Sequence, residues 1–252
     1  MLESAGSGKM SSIFLHGNVG IGEDWSPVLD ALPDALRERA FAPTLWGYFS
    51  RQAERQSFEG WAQEFRDSII GNDDRPLLVG YSLGGRLALH ALVSAPDCFS
   101  GAVIVSSHTG LPDIREREAR LEQDRQWATR AAADWDGFLR AWQAQPVFDG
   151  DAHLDDRETL TLWQREIALA FDAWSLGRQE NLQPLLGELA LPVLWVSGRR
   201  DHRFSEIAAR ATGVMKNARH VVVDDAGHRV PWGQPSATAG LITEFWREIA
   251  FP

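Results

Sequence analysis

The sequence predicts an α/β protein: a mostly parallel, doubly wound sheet with an inserted helical cap. Short apolar runs alternate with helical patterns over the first part of the chain, which is typical of parallel strands joined by helices. Residues 112–187 carry helical patterns without a convincing strand, and the alternation then resumes. Neither flanking block can bury a core alone, so residues 1–111 and 188–252 should share one sheet, with residues 112–187 as the cap.

The first block of the core contains four predicted strands, each a short apolar run bounded by polar or turn residues. They cover residues 11–15, 41–46, 77–81 and 101–106. Large apolar side chains three and four residues apart predict helices over residues 23–36, 58–69 and 83–93. Ser57 is predicted to cap the second of these helices, and a Gly-Asn-Asp-Asp turn at residues 71–74 leads into the third strand.

The elements of the cap and of the second block are predicted from the same hydrophobic patterns. Amphipathic patterns predict cap helices over residues 115–130, 138–142 and 160–174. The second block should contain strands over residues 191–197 and 220–223, with helices over 205–212 and 236–249. Residues 1–10 are small and polar, so we expect a loose tail rather than a signal or transit peptide.

The composition excludes several classes of partner. The 252 residues carry a net charge of −10, which disfavours a nucleic-acid or anionic-membrane surface. No apolar run approaches a membrane span, and the single cysteine, Cys98, excludes a disulfide framework and favours a reducing, cytoplasmic location. The sequence shows no metal-ligand cluster, phosphate loop or dinucleotide motif, so it predicts no metal and no cofactor. The oligomeric state stays open.

A buried-strand pattern runs into a sharp turn at Gly80-x-Ser82-x-Gly84, a pattern known as a nucleophile elbow and called the elbow below. In this arrangement the serine hydroxyl is exposed at the end of a strand, and the glycines let the neighbouring strand and helix approach closely. The helix that begins after Ser82 directs its first N–H groups at any negative charge that forms there. We therefore predict that Ser82 is the central residue of a catalytic site.

Asp201 and His228 each follow one of the last two predicted strands. Parallel sheets place their sites at these strand ends. The order Ser82, Asp201, His228 is one of the known orders of a Ser-His-Asp triad. We expect His228 to take the serine proton and Asp201 to orient the imidazole and stabilise the imidazolium.

Other residues compete for two of these roles. Asp224 and Asp225 lie so near His228 in the chain that they could not orient its ring in the usual manner. Asp172 lies in the cap region and is a weaker candidate for the acid. His202, beside the predicted triad aspartate, is expected to be an ordinary loop residue.

Two backbone N–H groups are predicted to form an oxyanion hole. One belongs to Leu83, directly after the predicted catalytic serine, and the other to Asn18, after His16-Gly17. His16 itself is expected to be a structural histidine of this loop. The absence of an HGGG run argues against the lipase and esterase subtype that carries one.

The elbow, the triad order and the cap motifs resemble the α/β-hydrolase superfamily. Within it they resemble the MenH family, the 2-succinyl-6-hydroxy-2,4-cyclohexadiene-1-carboxylate synthases of menaquinone biosynthesis. The resemblance implies the α/β-hydrolase fold and spans most of residues 13–230. Besides the elbow, which extends to Arg86, it rests on Glu23-Asp24-Trp25, His108-Thr109-Gly110-Leu111, Arg120, Asp124-Arg125-Gln126-Trp127, Trp142, Gln145-Pro146-Val147-Phe148 and Gly198-Arg199-Arg200-Asp201-His202-Arg203-Phe204.

The resemblance implies a lyase in which the triad serine acts as a base and pyruvate is eliminated from a cyclohexene polycarboxylate. Such a small anionic substrate needs a basic pocket in this acidic chain, and arginines can bind carboxylates bidentately. Arg86 falls one helical turn after Ser82 on a similar face, which supports the same idea from spacing. Arg120 and Arg125 would otherwise be interpreted as solvated positions, and the resemblance alone makes them candidate ligands.

The pocket lining and the substrate stay open at this stage. Tyr81 and Trp142 either line the pocket or pack in the core. Asn18 stands where the MenH family usually has an aromatic or similar residue, and the family's Leu-Pro-Gly-His-Gly loop is replaced at residues 45–50. A further cap arginine of the family has no clear counterpart near Trp163. Two alternatives are a serine hydrolase of small carboxylic esters or thioesters and a non-catalytic ligand receptor on the same fold.

Overall fold

The structure, a computed structural model, describes residues 12–48, 57–69, 75–151 and 158–250. Six strands form one sheet in the order β2-β1-β3-β4-β5-β6, and every neighbouring pair is parallel. The predicted parallel sheet is therefore confirmed, and both blocks of the core contribute to it. The strands are β1 (Ser12–Leu15), β2 (Ala40–Phe41), β3 (Leu77–Tyr81), β4 (Gly101–Val105), β5 (Val193–Gly198) and β6 (Ala218–Val223).

Helices join the strands and build the cap. Those of the described residues are α1 (Ser26–Asp30), α2 (Asp34–Arg37), α3 (Phe58–Ile69), α4 (Leu83–Ser94), α5 (Ile114–Ala133), α6 (Trp135–Gln143), α7 (Gln164–Ala173), α8 (Gln183–Leu186), α9 (His202–Val214), α10 (Val230–Gly233) and α11 (Pro235–Ala250). Helices α5, α6 and α7 form the cap between β4 and β5, as the sequence predicts.

The sheet is covered on both faces because successive strand side chains point to opposite sides. In β3, Leu78 packs in the hydrophobic cluster on one face, whereas Leu77 and Val79 pack in the cluster on the other. Side chains of α3, α4 and α9 belong to the first cluster, and those of α1, α2 and α11 to the second. Phe138 and Phe171 join the first cluster, so the cap sits on that side of the molecule.

An aromatic cluster holds the cap helices together. Trp127 of α5 packs edge-on against Phe138 of α6, with ring centroids 5.9 Å apart, and Phe138 packs against Phe171 of α7 at 5.7 Å. Trp142 lies 5.4 Å from Trp127 and 5.2 Å from Phe171. Edge-on contacts of this kind stabilise beyond the area they bury, so three cap helices share one aromatic centre.

Three predicted elements differ from the structure. The predicted helix 23–36 is a 3₁₀ helix, Gly22–Trp25, followed by α1 and α2, which break at Pro33. The predicted strand 41–46 pairs only at Ala40–Phe41, because Pro43 has no N–H for the ladder, and a 3₁₀ helix, Leu45–Tyr48, follows. The predicted cap helix 160–174 begins as the 3₁₀ helix Glu158–Trp163 and continues as α7.

The start of α3 agrees with the prediction. The Gly60 N–H donates a hydrogen bond of 3.0 Å to the Ser57 hydroxyl oxygen, so Ser57 caps this helix. The predicted turn at residues 71–74 and the predicted tail over residues 1–10 lie outside the described residues. Within the described part of the chain, no helix is long and apolar enough to cross a membrane.

Candidate active site

Ser82 occupies a sharp turn between β3 and α4. Its φ is +51°, in the left-handed region that residues with side chains rarely adopt. A Cβ on Gly84 would lie 2.1 Å from the Leu15 carbonyl oxygen, and one on Gly80 would lie 2.5 Å from the Gly84 carbonyl oxygen. The two glycines are therefore required by the close approach of strand and helix, and the turn aims the Ser82 side chain away from the sheet.

His228 connects Ser82 with Asp201. His228 Nε2 lies 3.3 Å from Ser82 Oγ, and Nδ1 lies 2.8 Å from Asp201 Oδ2. Both Asp201 and His228 are buried. The carboxylate accepts the Nδ1 proton, which leaves Nε2 free to accept the proton of the serine hydroxyl. The structure thus brings the three predicted residues into one hydrogen-bonded series.

The strand ends explain this convergence. Asp201 follows β5, where its side chain caps α9 by accepting a 3.4 Å hydrogen bond from the Phe204 N–H. His228 lies in the loop between β6 and α10. Because β3, β5 and β6 are parallel members of one sheet, their carboxyl ends meet at the same edge.

The competing residues are paired elsewhere or exposed, and Asp225 is among the exposed ones. Asp224 pairs with Arg199. Asp172 accepts hydrogen bonds from Arg125 and Arg178 on the outside of the cap. His202 is exposed at the beginning of α9. The structure therefore favours Asp201 as the acidic partner of the histidine.

The two predicted oxyanion-hole residues flank Ser82. Asn18 lines the same cavity as Ser82, and Leu83 is the first residue of α4. The first N–H groups of a helix have no intrahelical acceptor, so the Leu83 N–H is suited to binding an anion. Val19, directly after Asn18, has a φ of +53°, which is rare for a β-branched residue and marks a strained loop.

His16 has a structural role in this loop. It is fully buried, its Nε2 accepts a 2.8 Å hydrogen bond from the Leu45 N–H, and its Nδ1 lies 2.8 Å from the Gly17 carbonyl oxygen. Its ring packs edge-on against Trp46 at 5.1 Å. The ring thereby ties the Gly17-Asn18 loop to the segment after β2.

A cavity of about 200 Å³ opens in front of Ser82 and His228, between the sheet and the cap. Its wall is formed by residues from six regions. The loop after β1 contributes Asn18, the elbow contributes Ser82 and Arg86, the cap contributes Arg120 and Trp142, and the segments after β4, β5 and β6 supply others. The walls combine aromatic rings with three arginines, which suits a small anionic molecule.

Arg86 lies at the floor of the cavity and is buried. Its Nη1 donates to the Trp174 carbonyl oxygen at 2.9 Å and to Gln179 Oε1 at 3.4 Å. Burial, followed by the nearby positive charge of Arg120, lowers the pKa of Arg86 to about 9. The guanidinium therefore stays cationic at neutral pH and is held in place by neutral acceptors.

Arg120 lies on the cap side of the cavity. Its Nε is 2.9 Å from both carboxylate oxygens of Asp124, one helical turn further along α5. Asp124 is buried and also accepts a 2.7 Å hydrogen bond from the Ser175 hydroxyl. Arg120 is thus oriented toward the cavity by a carboxylate that is itself fixed.

A model of the family described as Alpha/beta hydrolase family matches residues 13–241 of the chain. The chain belongs to the alpha/beta hydrolase family. Among curated relatives, the 2-succinyl-6-hydroxy-2,4-cyclohexadiene-1-carboxylate synthase of Yersinia pestis (strain Pestoides F) is 32% identical over 241 residues, which is 92% of this chain and 86% of the relative. This confirms the predicted resemblance. A member of this family with such relatives is an enzyme of lyase or hydrolase type.

Solved structures of this alpha/beta hydrolase fold superpose closely. MenH from S. aureus has a TM-score of 0.84 at 20% sequence identity and covers 96% of this chain and 95% of its own. A malate-bound thermophilic esterase from Thermogutta terrifontis has a TM-score of 0.73 at 22% identity, over 95% and 90% of the two chains. At these identities the likeness shows the fold alone.

Arg125 lies outside the cavity of this alpha/beta hydrolase, in contrast to its predicted position. It follows Arg120 by five positions, which rotates it by about 140° around α5. Its side chain is about half exposed, and its Nε donates a 2.8 Å hydrogen bond to Asp172 Oδ1. The cavity wall includes Arg120, Asp124 and Trp127, which share one face of the helix.

The two candidate aromatic residues have different positions. Trp142 lines the cavity. Tyr81 is buried behind it, with its ring 5.5 Å from that of His228 and 4.7 Å from that of Trp232, and the main cavity wall does not include it. Burial raises the pKa of the Tyr81 phenol far above its ordinary value. Tyr81 therefore packs in the interior and also lines a small adjoining cavity together with Asn18, Trp142 and Phe148.

The sequence reasoning missed His108 and Arg203 as wall residues. His108 is buried, its Nδ1 accepts a 3.0 Å hydrogen bond from the Gly110 N–H, and burial together with the charge of Arg203 lowers its pKa to about 3. It is therefore neutral at pH 7, with its proton on Nε2. Arg203 follows Asp201 by two residues, and this spacing was a signal that could have identified it. Within the described residues, no cluster of potential metal ligands occurs.

Proposed function

We propose that this protein is a lyase of the MenH type, which eliminates pyruvate from a cyclohexene polycarboxylate in menaquinone biosynthesis. The observation that carries the proposal is an arginine-lined cavity directly in front of the Ser82–His228 pair. The curated relatives named 2-succinyl-6-hydroxy-2,4-cyclohexadiene-1-carboxylate synthase support the same reaction. The single cysteine, Cys98, favours a reducing compartment, and we propose the cytoplasm.

The first step is removal of a proton from a ring carbon of the substrate. His228 accepts the hydroxyl proton of Ser82 through Nε2, and the Ser82 oxygen accepts the C–H proton. The imidazolium that forms is stabilised by Asp201 at 2.8 Å. The two electrons of the broken C–H bond then move through the ring double bond.

The second step breaks the bond between the ring carbon and the oxygen of the leaving group. The electron pair passes to that oxygen, which takes up the proton held by the His228 imidazolium, so pyruvate leaves in its enol form, the triad returns to its starting state and the ring gains a second, conjugated double bond. Negative charge that builds on a carbonyl next to the reacting carbon would be bound by the N–H groups of Leu83 and Asn18. No external oxidant or reductant is needed for this elimination.

The arginines hold the substrate rather than react with it. Arg86 and Arg120 are fixed by protein acceptors at 2.9 Å and can form charge-assisted hydrogen bonds with substrate carboxylates. Such bonds place the ring carbon within reach of the Ser82 oxygen. Holding reactants in this way contributes to the rate because the orientation is established before the reaction.

The test is to generate the substrate enzymatically in a cuvette and to follow the ultraviolet absorbance of the conjugated product. Wild-type protein should convert it rapidly, and Ser82→Ala should be slower by about a hundredfold or more. Ser94→Ala is the matched control, because its hydroxyl bonds only the Ala91 carbonyl oxygen at the exposed end of the same helix. Absence of conversion by the wild-type protein, with correct folding, would refute the lyase proposal.

A serine hydrolase of small carboxylic esters or thioesters is the second candidate. It is favoured by the same Ser82–His228–Asp201 geometry and is in keeping with the fold shared with the Thermogutta esterase. Here Ser82 would attack a carbonyl carbon, and water would release the acyl group. Ser82-dependent cleavage of p-nitrophenyl esters without turnover of the MenH substrate would select this alternative. A Ser82 that fails to react with a fluorophosphonate probe would favour a non-catalytic receptor.

A further inference from the structure

The three arginines of the cavity wall differ in their partners. Arg86 donates to neutral acceptors of the protein, and Arg120 is paired with a carboxylate. Arg203 forms neither kind of contact within the described residues, and its recorded neighbour is the ring of Phe204, 6.0 Å from its guanidinium carbon. Arg203 is also exposed toward solvent and cavity. Its positive charge is therefore available to a ligand.

We propose that Arg203 forms a carboxylate-binding subsite on the triad side of the cavity, for one carboxylate of a small di- or polycarboxylate. This inference rests on the proposed function, because the carboxylate bound by Arg203 would be one of the carboxylates of the proposed lyase substrate. Arg86 lies on the floor and Arg120 on the cap, so a ligand held by all three is bound from three directions.

The position of Arg203 ties this subsite to the reacting atoms. It lies in the first turn of α9, between the triad residue Asp201 and Phe204. The Phe204 ring packs 4.5 Å from the ring of His228, and both rings line the cavity. A carboxylate on Arg203 would thus lie next to the triad, whereas one on Arg120 would lie beneath the cap.

Within the described residues, the neighbouring carboxylate of Asp201 forms no recorded ion pair with the Arg203 guanidinium and has other partners. Asp201 Oδ2 accepts the proton of His228 Nδ1, and Oδ1 accepts the N–H of Phe204. Each oxygen of Asp201 therefore already accepts one hydrogen bond, from the predicted triad histidine and from the first turn of α9. Arg203 is left to interact with a group that arrives from outside the protein.

The charge balance of the wall supports an anionic ligand. Its described residues include three arginines and one carboxylate, that of Asp124, so the wall itself carries two more positive than negative side chains. Burial, followed by the positive charges of Arg203, Arg86, Arg120 and Arg210, lowers the pKa of His108, a residue of the same wall. An acidic protein with net charge −10 that keeps an unbalanced positive cavity favours small anions there.

The test is calorimetric titration of succinate into the Ser82→Ala protein, which binds ligand without turnover. We expect Arg203→Ala to weaken succinate binding by about tenfold or more, because a charge-assisted hydrogen bond is lost, and Arg203→Lys to recover part of the affinity. Arg210→Ala is the matched control on the same helix, since Arg210 is exposed and pairs with Glu206. The Kd of this control protein for succinate should lie within about twofold of that of the Ser82→Ala protein.

Two outcomes would overturn the inference. One is equal succinate affinity with and without the Arg203 guanidinium, and the other is absence of measurable succinate binding to the Ser82→Ala protein. The proposed function is judged separately by turnover of the MenH substrate. Loss of that turnover together with Arg203-dependent succinate binding would refute the lyase and leave the carboxylate subsite standing.

Discussion

The backbone N–H of Arg229 donates a 2.9 Å hydrogen bond to Oδ2 of Asp151, which joins the cap to the residue directly after His228. The Asp151 side chain is only 1% exposed, and its Oδ1 lies 3.6 Å from Nη2 of Arg200. That oxygen also fills the space in front of Gly227, where a Cβ would lie 2.2 Å away. The cap therefore holds the loop that contains His228.

We expect Asp151→Ala to lower kcat by about tenfold with a smaller change in KM. The substitution leaves the Arg229 N–H without its acceptor, which costs about 1–3 kcal/mol and loosens the His228 loop. Asp151→Asn keeps an acceptor oxygen and should retain most of the activity. Steady-state kinetics would measure this, with Asp149→Ala as the control at an exposed position two residues away. Equal kcat values for the Asp151→Ala and Asp149→Ala proteins would contradict a role of Asp151 in holding the His228 loop.

Alanine substitutions at Arg120 and Arg125 should change KM by different amounts, although both residues lie on α5. Arg120→Ala removes a cavity cation and should raise KM for an anionic substrate by about tenfold or more. Arg125→Ala removes an exposed ion pair with Asp172, and such pairs contribute only about 0–1 kcal/mol, so KM should change by less than about twofold. If the Arg125→Ala protein shows the larger KM, Arg125 and not Arg120 faces the substrate.

Gly84→Ala should prevent correct folding of the elbow. The added Cβ would lie 2.1 Å from the backbone carbonyl oxygen of Leu15, and neither backbone segment can move without disturbing β1 or α4. We expect little protein in the folded fraction after expression. Circular dichroism of any folded material would then show a lower melting temperature than the wild type.

Gly240→Ala is the matched contrast, because Gly240 lies inside α11 and a Cβ added there would have no atom within 4 Å. Alanine is favoured over glycine in a helix interior by about 0.5–1 kcal/mol. The melting temperature should therefore rise by about 1–4 °C. A melting temperature below that of the wild type would contradict this expectation for position 240 of α11.

His90 makes stability depend on pH. It stacks on Phe58 at 4.6 Å, and burial lowers its pKa to about 4, against an attraction from Glu59 that opposes the shift. Between pH 6.5 and about 4 the unfolded chain binds a proton on His90 that the folded chain does not. The free energy of unfolding should therefore fall as the pH is lowered through this range, by at most about 1.4 kcal/mol per pH unit from this group.

His90→Phe keeps the stack on Phe58 and removes the titrating group. Urea unfolding at pH 7, 6 and 5 should show a smaller loss of stability for the variant than for the wild type. His108, whose pKa is lowered to about 3, makes the same contribution to the pH dependence of stability in both proteins. The difference between the wild type and the variant therefore reports on His90. Identical slopes of stability against pH for the two proteins would exclude this role.

Local patterns in the sequence were sufficient to predict the elbow and the triad. The spacing of Gly80, Ser82 and Gly84 indicates a strand–turn–helix junction, because few other residues tolerate that backbone approach. Asp201 and His228 follow late strands, and parallel topology brings such strand ends to one edge. The alternation of strands and helices likewise predicted one sheet interrupted by a cap, and the structure agrees.

The tertiary structure alone decided which side chains face the cavity. Arg120 and Arg125 are chemically equivalent in the sequence, and the way α5 packs within the cap determines that Arg120, and not Arg125, lines the wall. Asp151 and Arg229 are 78 residues apart, and no local pattern relates them. Periodicity reports which face of an element is apolar, whereas the partners of its polar groups depend on how separate elements pack, and this is a property of the folded chain.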